Sequence, residues 1–184
     1  PTMAWQVDKS HSHINFTARH MMISKVRGEF TDYDIDVNFD ENNLTATTVD
    51  VAIKTDSVST RDAQRDTHLK SPDFFNAEQF PVMTFKSKRV VQDSPNRGKL
   101  IGDLTIRDVT HEVTLDVEYS GIAKTPWGGS SAGFAARTTI NRKDWQLNWN
   151  VALETGGWLV SDQINLEIEL ELAQVAEPVA EAVA

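Results

Sequence analysis

The 184-residue chain contains no cysteine. Disulfides, thiolate nucleophiles and cysteine-ligated metals are excluded together, although the absence suits reducing and oxidising compartments alike. No stretch approaches the roughly 18 consecutive apolar residues of a membrane-spanning helix. The first residues also lack a basic segment followed by an apolar run, so the chain as given reads as cytoplasmic, or as periplasmic if a signal preceded residue 1. Positive charge is short: 18 Lys and Arg against 27 Asp and Glu give a formal net charge of −9. That balance opposes attraction to nucleic acid and steady binding to anionic lipid surfaces, so neither a nucleic-acid partner nor stable membrane insertion is expected. Missing too are a Ser-His-Asp order, a phosphate loop and a paired-carboxylate motif, and nothing marks the chain as an enzyme.

What is present is alternation of period two, the pattern of a sheet with one apolar and one wet face. It runs through Ile14, Phe16, Ala18, then Ile35, Val37, Phe39, then Val49, Val51, Ile53 and Met83, Phe85. After an Asn96-Arg97-Gly98 turn signal it returns in Leu100, Gly102, Leu104, Ile106, and after Asp108 in Val113, Leu115, Val117, Tyr119. Ile164, Leu166, Ile168, Leu170, Leu172 form the longest clean alternation. About eight such strands at short spacing predict an all-β antiparallel barrel or sandwich.

One segment breaks the rhythm. Ser59 to Gln79 is polar and mixed in charge, with Ser71-Pro72-Asp73 inside it, and predicts one helix before Ser71 and a short helical turn after it. From Ala173 to Ala184 only Ala, Val, Glu, Gln and Pro occur, which predicts a flexible tail on a single domain of residues 1–172.

Candidate chemistry is sparse. His11 and His13 stand two apart; on an extended segment both face one side, a spacing that holds a metal if another ligand closes the site, as in a metal-dependent hydrolase. The plainer reading is a pair of rim histidines and no metal. His68 sits among Arg61, Asp62, Arg65 and Asp66, which on a helix are i, i+4 neighbours; an ion-paired helix over one barrel end is a better reading than an acid/base cluster. Gly128-Gly129 and Gly156-Gly157 mark loops that need positive φ. A barrel of about eight strands either fills its interior or leaves room for one small ligand, and alternation alone leaves both open, including a filled barrel that serves only as an interaction module.

Longer stretches narrow the choice. Ser57-Val58-Ser59-Thr60-Arg61-Asp62, then Arg65-Asp66-Thr67-His68-Leu69-Lys70-Ser71-Pro72-Asp73-Phe74-Phe75, then Gln79-Phe80-Pro81-Val82-Met83-Thr84-Phe85 strongly resemble the YceI-like polyisoprenoid-binding family. So do Trp5-Gln6-Val7-Asp8-Lys9-Ser10-His11-Ser12, Val26-Arg27-Gly28-Glu29-Phe30, Asn141-Arg142-Lys143-Asp144 and Leu153-Glu154-Thr155-Gly156-Gly157. Departures are Trp145-Gln146 where Phe-Gly is usual, Asp108 where Gly is common, and Ser161 where Gly often precedes Asp162.

The resemblance implies an extended lipocalin-like barrel whose apolar tunnel carries or stores a long-chain isoprenoid, an isoprenoid quinone or polyprenyl phosphate, without catalysis and without a catalytic cofactor. It implies a bacterial transport protein and, weakly, a homodimer. The expected tunnel wall is Phe16, Phe30, Phe39, Val51, Ile53 and Phe85 from the first half of the chain. Leu104, Ile106, Val117, Phe134, Ile140 and Leu166 come from the second. His20, Arg61 and His68 are the expected contacts for a polar head group, since each can donate to a quinone carbonyl or phosphate.

Overall fold

The structure is a computed structural model and describes residues 4–175. Eleven strands form one antiparallel sheet: β1 Ala4–Val7, β2 His13–His20, β3 Ser24–Phe30, β4 Tyr33–Asn38, β5 Thr48–Lys54, β6 Val58–Ser59, β7 Val82–Ser94, β8 Arg97–Ile106, β9 Val109–Lys124, β10 Ser130–Asn141 and β11 Gln163–Val175. The predicted all-β, lipocalin-like class is what the chain adopts. The strand count exceeds eight partly because long bent strands divide: β1 leads through a 3₁₀ turn into β2, and only Thr31 and Asp32 separate β3 from β4.

That last join closes the sheet. Its hydrogen-bonded order runs β4-β5-β7-β8-β9-β10-β11-β2-β3-β6, so the two ends of the path meet on two continuous stretches of chain, β3 running on into β4 and β5 into β6. Across the join, Thr31 N donates to Ser57 O and Lys54 N to Asp32 O, while the Tyr33 hydroxyl donates to Ser12 O. β1 pairs with the far half of β11, with Ala4 opposite Val175. Residues 173–175 therefore belong to β11 and not to the predicted tail, because β1 offers all three a ladder partner and β10 pairs Ala173 and Gln174 as well. The rest of that tail lies outside the described residues.

Register explains the interior. On β2, Ile14, Phe16 and Ala18 share one parity, and their partners across the ladder are Phe30, Gly28 and Val26. On β11, Ile164, Leu166, Ile168 and Leu170 point inward, while Glu167, Glu169 and Glu171 alternate with them. A one-residue slip would turn every one of these glutamates into the barrel, so the register is strongly specified. Gly121, at φ +89°, sits at an irregularity in the β9–β10 ladder that leaves Tyr119 opposite Phe134, where their rings stack at 5.0 Å.

The single α-helix among the described residues, α1 (Ala63–Lys70), forms where the sequence predicts it. Asp62 caps it, its carboxylate accepting from Gln64 N and Arg65 N at 3.1 Å each. The helix stops at Ser71, whose hydroxyl donates to His68 O, and the chain turns through residues 71–76. Arg107 in the β8–β9 turn holds that loop, its guanidinium donating to Pro72 O (3.2 Å) and Phe74 O (2.9 Å).

Candidate functional site

Inside the barrel is one elongated cavity of about 1000 Å³. This volume lies at the upper end of the roughly 300–1,000 Å³ of ordinary ligand pockets. Along β11 alone its wall runs from Ile164 to Leu170, six residue steps or about 20 Å. The filled-barrel alternative is thereby overturned. Small residues at wall positions make the room: Ala18, Ala136 and Thr138 face the cavity where larger side chains would fill it.

All twelve expected tunnel residues line this cavity: Phe16, Phe30, Phe39, Val51, Ile53, Phe85, Leu104, Ile106, Val117, Phe134, Ile140 and Leu166. Its middle is hydrocarbon. Towards one end Phe39 gathers Trp5, Tyr119 and Phe134 around it, with ring centroids at 5.3, 6.0 and 5.3 Å. Gln92, Ser94, Arg97 and Lys99 of the β7–β8 hairpin add polar groups to the wall that the sequence did not single out.

The opposite end lies under α1 and carries most of the remaining polar wall. His20 and His68 both line it, half-buried. His20 forms an isolated bridge with Val160. The His68 imidazole meets Asp73 Oδ2 at 2.8 Å through Nε2 and packs edge-on against Trp149 (4.6 Å) and Phe74 (5.1 Å). Arg61 does not reach the cavity: it is exposed and takes φ +62°, turning the chain just before the helix cap so that its side chain leaves for solvent. Arg65, one helical turn later, lines the wall instead, with Nε donating to Thr60 Oγ1 (2.8 Å) and Nη2 to Thr60 O (2.9 Å).

Arg142 was missed as a wall residue. It is only 3% exposed, and three backbone carbonyls hold it: Leu147 O at 2.6 Å, Trp149 O at 2.9 Å and Ser161 O at 2.9 Å. Burial pulls its pKa down and Asp162, 3.9 Å away, pulls it back. Arg142 thus fixes the segment that carries Trp149 over His68. The signal available was an arginine two residues after Ile140, on the inward parity at the end of the strand, where a charge is kept only if it is bonded.

The histidine pair of the metal reading is not assembled. Lys9–His11 is a 3₁₀ turn, so the two-residue rule for extended chain fails there, and His13, on β2, stands opposite Glu169 of β11. His11 joins Asp8 (2.8 Å) and Glu171 (3.7 Å) instead, at the surface and away from the cavity wall. Asp8 raises the His11 pKa chiefly through their hydrogen bond, with Glu171 adding attraction; Ser10 and then His11 hold the Asp8 pKa below its ordinary value.

Comparison with known proteins agrees with this architecture. The family model described as "YceI-like domain" matches residues 5–172. The chain belongs to the YceI-like family. Relatives of this YceI-like chain include a UPF0312 protein of Staphylococcus aureus, 38% identical over 167 residues that cover 90% of this chain and 95% of that protein. A UPF0312 protein of Staphylococcus epidermidis is 39% identical over the same shares. Among solved structures, the YCEI protein of Campylobacter jejuni is 37% identical, with a TM-score of 0.75 and coverage of 86% of this chain and 90% of that one. A polyisoprenoid binding domain from Saccharophagus degradans shares the YceI-like fold at 14% identity, TM-score 0.63, covering 95% of this chain and all of that one.

Proposed function

We propose that this chain binds a long, apolar isoprenoid lengthwise in the barrel, as a carrier or store, and catalyses no reaction on it. The observation that carries the reading is the cavity: elongated, about 1000 Å³, hydrocarbon along its middle and polar only towards its ends. Each methylene moved from water into such a wall contributes about 0.8 kcal/mol, so affinity can come from the chain of the ligand without a charged partner. Ordering the flexible ligand and the loss of its free translation offset a large part of this. The name of the Saccharophagus degradans neighbour supports an isoprenoid over other lipids.

The head group, a quinone or a phosphate, sits in this reading beneath α1. There His20 and His68 line the wall half-buried, and Arg65 adds a third donor. The opposite end is narrowed by the rings around Phe39, which suit the tail of the isoprenoid.

The test is mass spectrometry of an organic extract from natively purified protein, beside an extract of an unrelated protein from the same host. An isoprenoid at near-stoichiometric level is the expected result. An empty extract from protein that also fails to take up added isoprenoid quinone would overturn the reading.

A further inference from the structure

At the α1 end of the barrel the surface carries an apolar lip that no internal packing explains. The turn between β2 and β3 presents Met21, Met22 and Ile23 at 45%, 63% and 81% exposure, and Trp158 stands at 55%. These belong to one surface. Met21 N donates to Leu159 O, and Gly157, beside Trp158, lies so close to Met22 that a Cβ there would overlap its sulfur. The lip is continuous with the cavity: His20, the residue before the turn, and Leu159 and Val160, the residues after Trp158, all line its wall.

The backbone of the turn is costly. Met21 and Met22 hold φ of 53° and 64°, the left-handed region that Gly and Asn occupy readily and other side chains seldom do. Strain of this kind persists at functional sites more than elsewhere.

Charge around the lip runs against the rest of the protein. In a chain of net charge −9, residues 9–28 include Lys9, Arg19, Lys25 and Arg27 and no Asp or Glu. Arg19 and Lys25 face each other across the ladder, with Arg27 next along β3, and Arg19 also borders the cavity. All three are exposed and none enters an ion pair among the described residues. Of the acidic groups around the lip, Asp162 is paired with Lys143, Glu154 stands exposed in the loop before Trp158, and Glu29 follows Arg27 by two residues on β3. Three unpaired cations thus stand against two carboxylates at the lip, and salt screens the rest of the acidic surface beyond roughly 10 Å.

We propose that this lip docks transiently on a bilayer carrying anionic lipids, with Met22, Ile23 and Trp158 entering the interface and Arg19, Lys25 and Arg27 meeting the head groups. The arrangement is that of a peripheral membrane contact, apolar tip and basic flank, each part weak alone. It rests on the carrier reading for its purpose, which is to bring the cavity mouth to the membrane where an isoprenoid resides. Docking itself needs no ligand.

The test is co-sedimentation of the purified protein, with no ligand added, against vesicles of phosphatidylcholine alone and of phosphatidylcholine with about one third phosphatidylglycerol, at low and physiological salt. Expected is binding to the anionic vesicles that weakens with salt and falls about tenfold in Met22→Ser/Ile23→Ser and in Arg19→Ser/Lys25→Ser. Trp127→Ser, which removes a ring that is 87% exposed but lies in the β9–β10 turn at the far end of β10, leaves it unchanged. Absence of binding to anionic vesicles, or equal binding by the lip variants, sinks the proposal. So does sedimentation equilibrium in which the wild type dimerises and the lip variants do not, since the lip is then a contact between two copies. A protein that binds vesicles yet yields no isoprenoid would refute the carrier reading and leave the docking surface standing.

Discussion

The ring of Phe16 lies over Gly28, its direct partner across the β2–β3 ladder, so closely that a Cβ on Gly28 would overlap three ring carbons. On the β7–β8 ladder Phe85 reaches diagonally over Gly102, where a Cβ would overlap two ring carbons and the Lys86 carbonyl. In each case the glycine lets an aromatic ring rest against the barrel wall when it would otherwise project into the lumen.

Gly28→Val is therefore expected to push Phe16 into the cavity. Affinity for a bound isoprenoid should fall by about tenfold or more, at a stability cost of about 1–3 kcal/mol for the added bulk. Titration with a fluorescent isoprenoid and thermal denaturation, run together, check the two effects. Unchanged affinity in a folded variant would show that Phe16 does not bound the ligand space.

Arg142→Met removes the buried group that holds three backbone carbonyls, those of Leu147, Trp149 and Ser161. The loss should be about 3–5 kcal/mol, the scale of breaking a buried charged network. Chemical denaturation measures it, and an altered fluorescence of Trp149 would report the freed segment above His68.

The β8–β9 turn holds two residues, Arg107 and Asp108, at φ of 52° and 61°. This geometry favours Asn-Gly, and Asp108 stands where glycine has no steric cost. Asp108→Gly should raise stability by up to about 1 kcal/mol, or roughly 2–4 °C in melting temperature for a chain of this size. A lower melting temperature would mean that the aspartate side chain supports the turn.

The Asp8–His11–Glu171 group ties the segment after β1 to β11 and depends on pH in a definite direction. His11, raised above its ordinary 6.5, adds stability that is fully present below about pH 6.5 and is lost as pH rises through its folded value. Asp8, lowered from 3.8, adds stability that is present above that value and is lost as pH falls through its own. The clasp is therefore strongest between these limits. The His11 Cε1–H shift, followed by NMR, should titrate above 6.5 in the wild type and return towards 6.5 in Asp8→Asn.

Much of this was legible in the residues. Every alternating run read from the sequence is a strand, and Asp62, Ala63 and the Ser71-Pro72 pair delimit α1. β10 was harder, because Ala132, Gly133, Ala135 and Ala136 are small on both faces and hide the period of two. The same small side chains leave space in the lumen. Arg61 was misplaced because sequence spacing treats it as helical, whereas its positive φ puts it outside the helix and aims it at solvent. His11 and His13 failed for a related reason: a 3₁₀ turn of three residues changes the face between them, and nothing in Lys9-Ser10-His11 announces it. Trp145, 2% exposed, fills its site by donating from Nε1 to Leu104 O, and Gln146 after it takes the left-handed φ of 63° that the more usual glycine would hold without strain.

The join at Thr31 and Asp32 also bears on how the molecule is made. β2 finds its second partner only in β11, about 150 residues later, so the wall of the cavity stays open until β11 has left the ribosome. Contacts of such long sequence separation form late and slowly. During that wait the hairpin of β2 and β3 exposes one face of Ile14, Phe16 and Val26 with nothing to cover it, and is the part of the nascent protein that a chaperone would meet first. The binding space is thus a property of the finished chain, and a truncation anywhere before β11 should leave no vessel at all.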